Sequence, residues 1–130
     1  MSRFLTVTLS LSALLLSASM ASAAPQVPGD LKLGPPEGFK ARKTMVDFSH
    51  TRHGAADIQC ATCHHTWDGT SDVQSCAAPG CHDQPGKKGE TAFYTAFHAK
   101  KNDRSCLGCH KTLKKAGKAV PVSCGQCHQK

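Results

Sequence analysis

The sequence predicts one small, loop-rich domain whose interior is not built from side chains. Three observations predict it. The chain has 130 residues, enough for one domain and not two. Beyond residue 23 its only aromatics are Phe39, Phe48, Trp67, Phe93, Tyr94 and Phe97, with few Leu or Ile. That is too little apolar surface to offset the conformational entropy of a folded chain this long. Eight Cys and eight His are interleaved between residues 50 and 128, so disulfides, metal or a covalently held group must stand in for the missing core.

The elements follow in order. Arg3 and the apolar run Phe4–Leu16, broken only by Thr and Ser, precede Ala21-Ser22-Ala23, a small-residue cleavage motif. Residues 1–23 therefore read as a secretory signal peptide, with an exported mature domain over 24–130. The apolar run is too short to serve as a transmembrane segment, and no Cys precedes Cys60 to carry a lipid. Residues 24–40 are rich in Pro and Gly and are expected to be extended or looped. Val46 and Phe48 alternate within Thr44–His50, a short strand signal. Residues 66–75 are turn material, and Pro85–Gly89 is another break. Glu90–Lys101 is the best helix candidate, with Ala92, Phe93, Ala96 and Phe97 on one face and His98 beside it.

The eight Cys fall into four pairs, each followed by His. They are Cys60-Ala-Thr-Cys63-His64, Cys76-Ala-Ala-Pro-Gly-Cys81-His82, Cys106-Leu-Gly-Cys109-His110 and Cys124-Gly-Gln-Cys127-His128. Three match C-x-x-C-H, the attachment signature of c-type haem, and the Cys76 motif is the same frame with two extra residues. Two thiols a turn apart can each form a thioether with a vinyl group on one haem edge, and the following His then lies under the iron. Four zinc sites, or four disulfides with 105 connectivities, are the rival readings. Neither calls for His after the second Cys of every pair. Four covalent haem c groups, each carrying iron, are the expected cofactors.

Four His remain: His50, His53, His65 and His98, one for each sixth coordination position. Met45 is the only Met beyond the leader, so Met can supply at most one axial bond. Four bis-histidine haems account for every His. His64 and His65 are neighbours and cannot face the same iron, so His65 must serve a different haem close by. His50 and His53, three apart, fit one helical turn serving two adjacent haems. The haems thus form a cluster, and most aromatics are expected to pack on them.

With these residues in view, the chain resembles the class III tetrahaem cytochromes c of sulfate-reducing bacteria, the cytochrome c3 family. The shared order is His50-x-x-His53, Cys60-x-x-Cys63-His64-His65, the longer Cys76 motif, His98 and two further motifs, covering nearly all of residues 24–130. The resemblance implies that His50 pairs with His64, His65 with His82, His53 with His110, and His98 with His128. It also implies the fold: a small, loop-rich, mainly α multihaem cytochrome of a few helices and a short N-terminal β-sheet wrapped around four covalent haems. One departure is the short spacing of the fourth motif, where many relatives have the long one.

Four six-coordinate irons leave no open position for a substrate, which argues against oxidase, nitrite reductase or peroxidase activity and for outer-sphere electron transfer. Paired imidazoles give a lower potential than a His/Met pair, so a low-potential carrier that is not an enzyme is expected. Residues 24–85 carry 5 basic and 7 acidic side chains, whereas 86–130 carry 10 basic and 2 acidic. The basic ones are Lys87, Lys88, Lys100, Lys101, Arg104, Lys111, Lys114, Lys115, Lys118 and Lys130. Eight propionates on four ferric haems bring the total to about +2, so the charge is a local patch more than a global excess. Lysines near the haem attached at Cys124 and Cys127 would steer acidic docking faces; in the family such a patch marks type I members that accept electrons from periplasmic hydrogenase. The expected role is a monomeric periplasmic shuttle from hydrogenase to membrane-associated multihaem redox complexes in anaerobic sulfate respiration. Nucleic acid is excluded by compartment. The alternative is a terminal reductase of metal ions or sulfur species, since exposed low-potential haems need no pocket.

Overall fold

The structure, a computed structural model, describes residues 26–130; the leader expected over 1–23 lies outside the described residues. Asp30–Leu33 (β1) pairs antiparallel with Val46–Ser49 (β2), Asp30 opposite Ser49 and Leu33 opposite Val46. β2 follows the Val46/Phe48 alternation. β1 lies within the stretch expected to be extended or looped. It forms because Leu31 and Leu33 alternate with polar Asp30 and Lys32, and Leu31 sits directly across from Phe48. Lys32 and Asp47, also opposite one another, form an exposed ion pair at 2.5 Å, a contact of little energetic weight.

Ser49 both ends β2 and caps the next helix, His50–Gly54 (α1), its Oγ accepting from the Arg52 N–H. The strand therefore turns into the helix with no intervening loop, which puts His50 and His53 in a single turn. Cys60–Cys63 (α2) is one turn, and residues 66–75 form turns and coil as expected.

The helix expected over Glu90–Lys101 is shorter, Phe93–His98 (α3). Its N-terminal part is diverted. Gln84 donates its N–H to Thr91 and accepts from Phe93, both at 3.0 Å, which holds Ala92 extended against the 84–89 break. At the other end Ala99 is extended as well. Among the described residues the longest helix is Cys106–Lys115 (α4), which contains the whole third motif. Ser105 caps it, and a Schellman ending closes it. Gly117, at φ +81°, donates to the Lys114 carbonyl and Lys118 to that of Leu113. Cys124–Cys127 (α5) is a final single turn. There Gln126 Oε1 accepts from the N–H groups of Val122 and Ser123 and from the Ser123 hydroxyl.

Among the described residues only Ala92, Ser105 and Gly108 are buried. None has a large side chain, so the polypeptide does not make its own core, as composition required. What packs α3 against α4 is a polar knot. Ser105 Oγ lies 2.6 Å from the Ala99 carbonyl and 3.0 Å from that of Asn102, and accepts from the Gly108 N–H at 3.0 Å. Ser105→Ala removes both the cap and the link, and is expected to cost about 1–2 kcal/mol. Thermal unfolding of the holoprotein checks this, and an unchanged midpoint would contradict it. The molecule is thus small, loop-rich and mainly α with one two-stranded sheet. Among the described residues no helix is long and apolar enough to cross a membrane.

Candidate cofactor-binding site

Each Cys–His motif closes by a local backbone bond. The N–H of His64 donates to the carbonyl of Cys60 at 2.9 Å, and that of His128 to Cys124 at 2.8 Å. In α4, Cys106 and His110 stand four apart on regular helix. The long motif reaches the same end, because the N–H of His82 donates to the carbonyl of Cys76 at 2.9 Å. Its two extra residues are taken up in a turn around Gly80, which sits at φ +81° and donates its N–H to Asp83 Oδ2. Glycine is needed there because a side chain is strained in the left-handed region. In all four motifs, therefore, two thiols and one imidazole leave the backbone within one short closed turn.

The histidine rings meet in couples. His50 and His64 have ring centres 6.5 Å apart with planes 18° from parallel, and His53 and His110 stand at 6.2 Å and 14°. His98 and His128 stand at 6.1 Å and 6°, while His65 and His82 stand at 6.0 Å but with planes crossed at 62°. These separations are too long for ring contact. Two metal–imidazole bonds of about 2 Å, plus about 1.1 Å from each nitrogen to its ring centre, come to roughly 6 Å. The couples therefore fit one metal between each pair of rings.

Hydrogen bonding sets which nitrogen is free. Nδ1 of His53 lies 2.7 Å from the Ser49 carbonyl, His64 3.2 Å from Gln74, His98 3.1 Å from Tyr94, His110 2.9 Å from Pro121 and His128 2.7 Å from Thr44. A carbonyl only accepts, so these Nδ1 atoms carry the proton and Nε2 carries the lone pair that a metal needs. Nδ1 of His50 and of His82 is buried without a protein acceptor among the described residues. Burial, foremost, keeps the His98 ring below the usual histidine range; the charges of His128 and Lys87 act in the same direction and its bond to Tyr94 opposes them. The neutral imidazole, the ligating form, is favoured there.

The loops serve the same rings. Asp68 Oδ1 accepts from the N–H and hydroxyl of both Thr70 and Ser71, and these bonds hold its carboxyl well below the ordinary range. That turn leads to Gln74 and the His64 anchor. Thr44 ties the segment before β2 to the C-terminal motif. It accepts from His128, and its Oγ1 donates to the Gln129 carbonyl at 2.7 Å. Phe48 fills the angle between His50 and His53, at 4.8 Å and 4.6 Å from their ring centres.

Neither rival reading gains support from this arrangement. No two of the eight cysteines are joined, and among the described residues no three His, Cys, Asp or Glu side chains converge on a metal-sized point. Partial burial, the main cause, pushes the free thiols of Cys76, Cys109 and Cys127 up, which favours their neutral form. Sequence reasoning did not single out Ser105, Gly108 or the carbonyl anchors. Ser105 was detectable as a cap residue one position before a Cys–His motif, whereas the carbonyl anchors have no side-chain signature. Of the ten basic residues in the C-terminal half, Lys100, Lys101, Lys111, Lys114 and Lys115 line one cleft of ≈ 520 Å³ with Thr112 and Val122.

The sequence pattern of the Class III cytochrome C family matches residues 28–128. A cytochrome c3 of Maridesulfovibrio salexigens is 51% identical over 106 residues, covering 79% of this chain and 95% of that protein. A cytochrome c3 of Desulfovibrio desulfuricans is 46% identical over 104 residues, covering 79% and 96%. Among solved structures, the di-tetraheme cytochrome c3 of Desulfovibrio gigas superposes with a TM-score of 0.70 at 37% identity, covering 80% of this chain and 98% of that one.

Proposed function

The chain belongs to the class III cytochrome c family, and from that premise we propose that it works as an exported, periplasmic low-potential carrier with four bis-histidine haems. Family membership and the eight cysteines make it an electron-transfer protein with four c-type haems. When bound, the haems supply reversible one-electron chemistry at iron. The cysteines take the attachment role in the pairs Cys60/Cys63, Cys76/Cys81, Cys106/Cys109 and Cys124/Cys127. The axial couples are His50 with His64, His65 with His82, His53 with His110, and His98 with His128. The observation that carries this reading is the common 6.0–6.5 Å separation of the four ring couples, with five of the eight rings held by Nδ1 on backbone carbonyls. Such anchors raise the basicity of the ligating nitrogen, and a more basic ligand favours ferric iron and so a low potential.

Residues 1–23 act as the export signal and 24–130 as the mature domain. The partners are periplasmic hydrogenase on the donor side and membrane-associated multihaem complexes on the acceptor side, in anaerobic sulfate respiration. Support comes from the lysines of the C-terminal half, five of which share one cleft, since a concentrated positive face steers acidic partners. The mass of the exported protein with a pyridine haemochrome count tests the first half: four covalent haems on a chain starting near Ala24 are expected. Stopped-flow reduction by hydrogenase, slowing steeply with salt, tests the second. Turnover of a soluble metal ion or sulfur oxidant faster than exchange with hydrogenase would instead favour a terminal reductase.

The crossed rings of His65 and His82 set one couple apart. Electron paramagnetic resonance of the oxidised holoprotein is expected to show four low-spin ferric signals, one with larger anisotropy than the others. Four alike would contradict ligation at the 62° angle.

A further inference from the structure

Tyr94 and His98 stand one helical turn apart on α3 and stack face to face, ring centres 4.0 Å apart and planes 7° from parallel. His98 is in turn 6° from parallel with His128. The other face of the column carries a charge, because Lys87 Nζ stands 5.4 Å from the Tyr94 ring centre, within the range of a cation–π contact. Tyr94 is 38% exposed, so its outer face is open to the loop that bears Lys87. That loop contains Gly86 and Gly89, at φ +104° and +94°. A cation, an aromatic plane and the His98 imidazole thus stand in order, and among the described residues no other histidine couple has a cation–aromatic pair against it.

We propose that Lys87 and Tyr94 form a charged cap on His98 that raises the potential of the haem attached at Cys124 and Cys127, and that an acidic partner lowers that potential by drawing Lys87 off the ring. The physical ground is electrostatic. Reduction lowers the charge at iron by one, so a nearby fixed cation favours the reduced state. Tyr94 does two things: its face holds the ammonium in place against its own flexibility, and its stack fixes the plane of His98. Lys87 is on the surface and belongs to the basic C-terminal half. A carboxylate arriving there offers it a stronger partner than a π-face. The cap stands on the contacts alone, whereas its release by a partner rests on the docking reading given above.

The test uses the tetrahaem protein, with each haem's oxidation followed by its own methyl resonances during redox titration. Lys87→Gln is expected to move one midpoint, that of the haem at Cys124 and Cys127, to more negative potential and leave three in place. Lys87→Arg, which keeps charge and cation–π capacity, is expected to restore it. On a Tyr94→Leu background the effect of Lys87→Gln is expected to fall to less than half. Equal shifts at all four haems, no shift at all, or a shift undiminished without the tyrosine would each overturn the cap. Adding a short polyglutamate peptide at low salt is expected to lower the same midpoint in the unmodified protein and not in Lys87→Gln. Binding without that shift overturns the release step. No binding at all removes the docking reading and the release step together, and leaves the cap standing.

Discussion

Replacing Gly108 with Ala is expected to destabilise the holoprotein by about 3 kcal/mol or more. A Cβ on Gly108 overlaps the carbonyl oxygen of Asn102, and it lies 2.7 Å from that of Ala99 and 2.8 Å from Asn102 C. All three are backbone atoms, so no side chain can rotate aside. The obstruction falls where the first turn of α4 meets the end of α3. There the Gly108 N–H is bonded to Ser105 Oγ, which itself reaches Ala99 and Asn102. Relief means moving α4, and with it Cys106, Cys109 and His110, away from the 99–102 segment. The effect exceeds that of Ser105→Ala, which deletes one hydroxyl from the same knot and introduces no clash. Thermal unfolding monitored at the Soret band should show a midpoint at least 10 °C lower, by the roughly 4–8 °C per kcal/mol typical of domains this size. A drop under 3 °C would mean that the close approach is not maintained in solution.

His53→Met should raise one haem midpoint by on the order of 0.1–0.2 V, a fraction of the roughly 0.8 V that axial ligation spans. His53 lies outside every attachment motif, so all eight cysteines and their adjoining histidines stay intact and haem content should remain four. In the native chain its ring faces His110 at 6.2 Å, is held by the Ser49 carbonyl at 2.7 Å and stacks on Phe48 at 4.6 Å. A thioether is a weaker donor than an anchored imidazole and favours ferrous iron. Potentiometric titration should therefore separate one haem from the other three. Four midpoints remaining in the native range would show that His53 is not a ligand. Loss of a haem would show that its role is in assembly.

Much of the chemistry was legible in the sequence because attachment is local. Two thiols and an imidazole within one closed turn need nothing from the rest of the chain, and even the two extra residues between Cys76 and Cys81 leave the closing bond of His82 to Cys76 unchanged. The sparse core was legible too, since composition alone limits what side chains can bury. The helix over Glu90–Lys101 came out shorter for a reason propensity does not contain. Gln84 claims backbone groups of Thr91 and Phe93, and a pairing across the 85–89 break cannot be read from either segment alone. β1 was hidden likewise: four residues alternate too briefly to register until Phe48 stands opposite Leu31.

The sequence by itself determined the kind of cofactor, the number of attachment sites, the supply of one spare histidine per iron, and the uneven distribution of charge. All of these are covalent or compositional properties, present in the unfolded chain. Only the tertiary structure decided which imidazole stands about 6 Å from which, how the two planes of each couple are turned, and which carbonyl holds each ring. It also brought Lys87 over Tyr94. Most of those are relations between segments well separated in the chain. They depend on how α1, α3 and the loops at Thr44, Gln74 and Pro121 close against the four motifs, which local spacing does not specify.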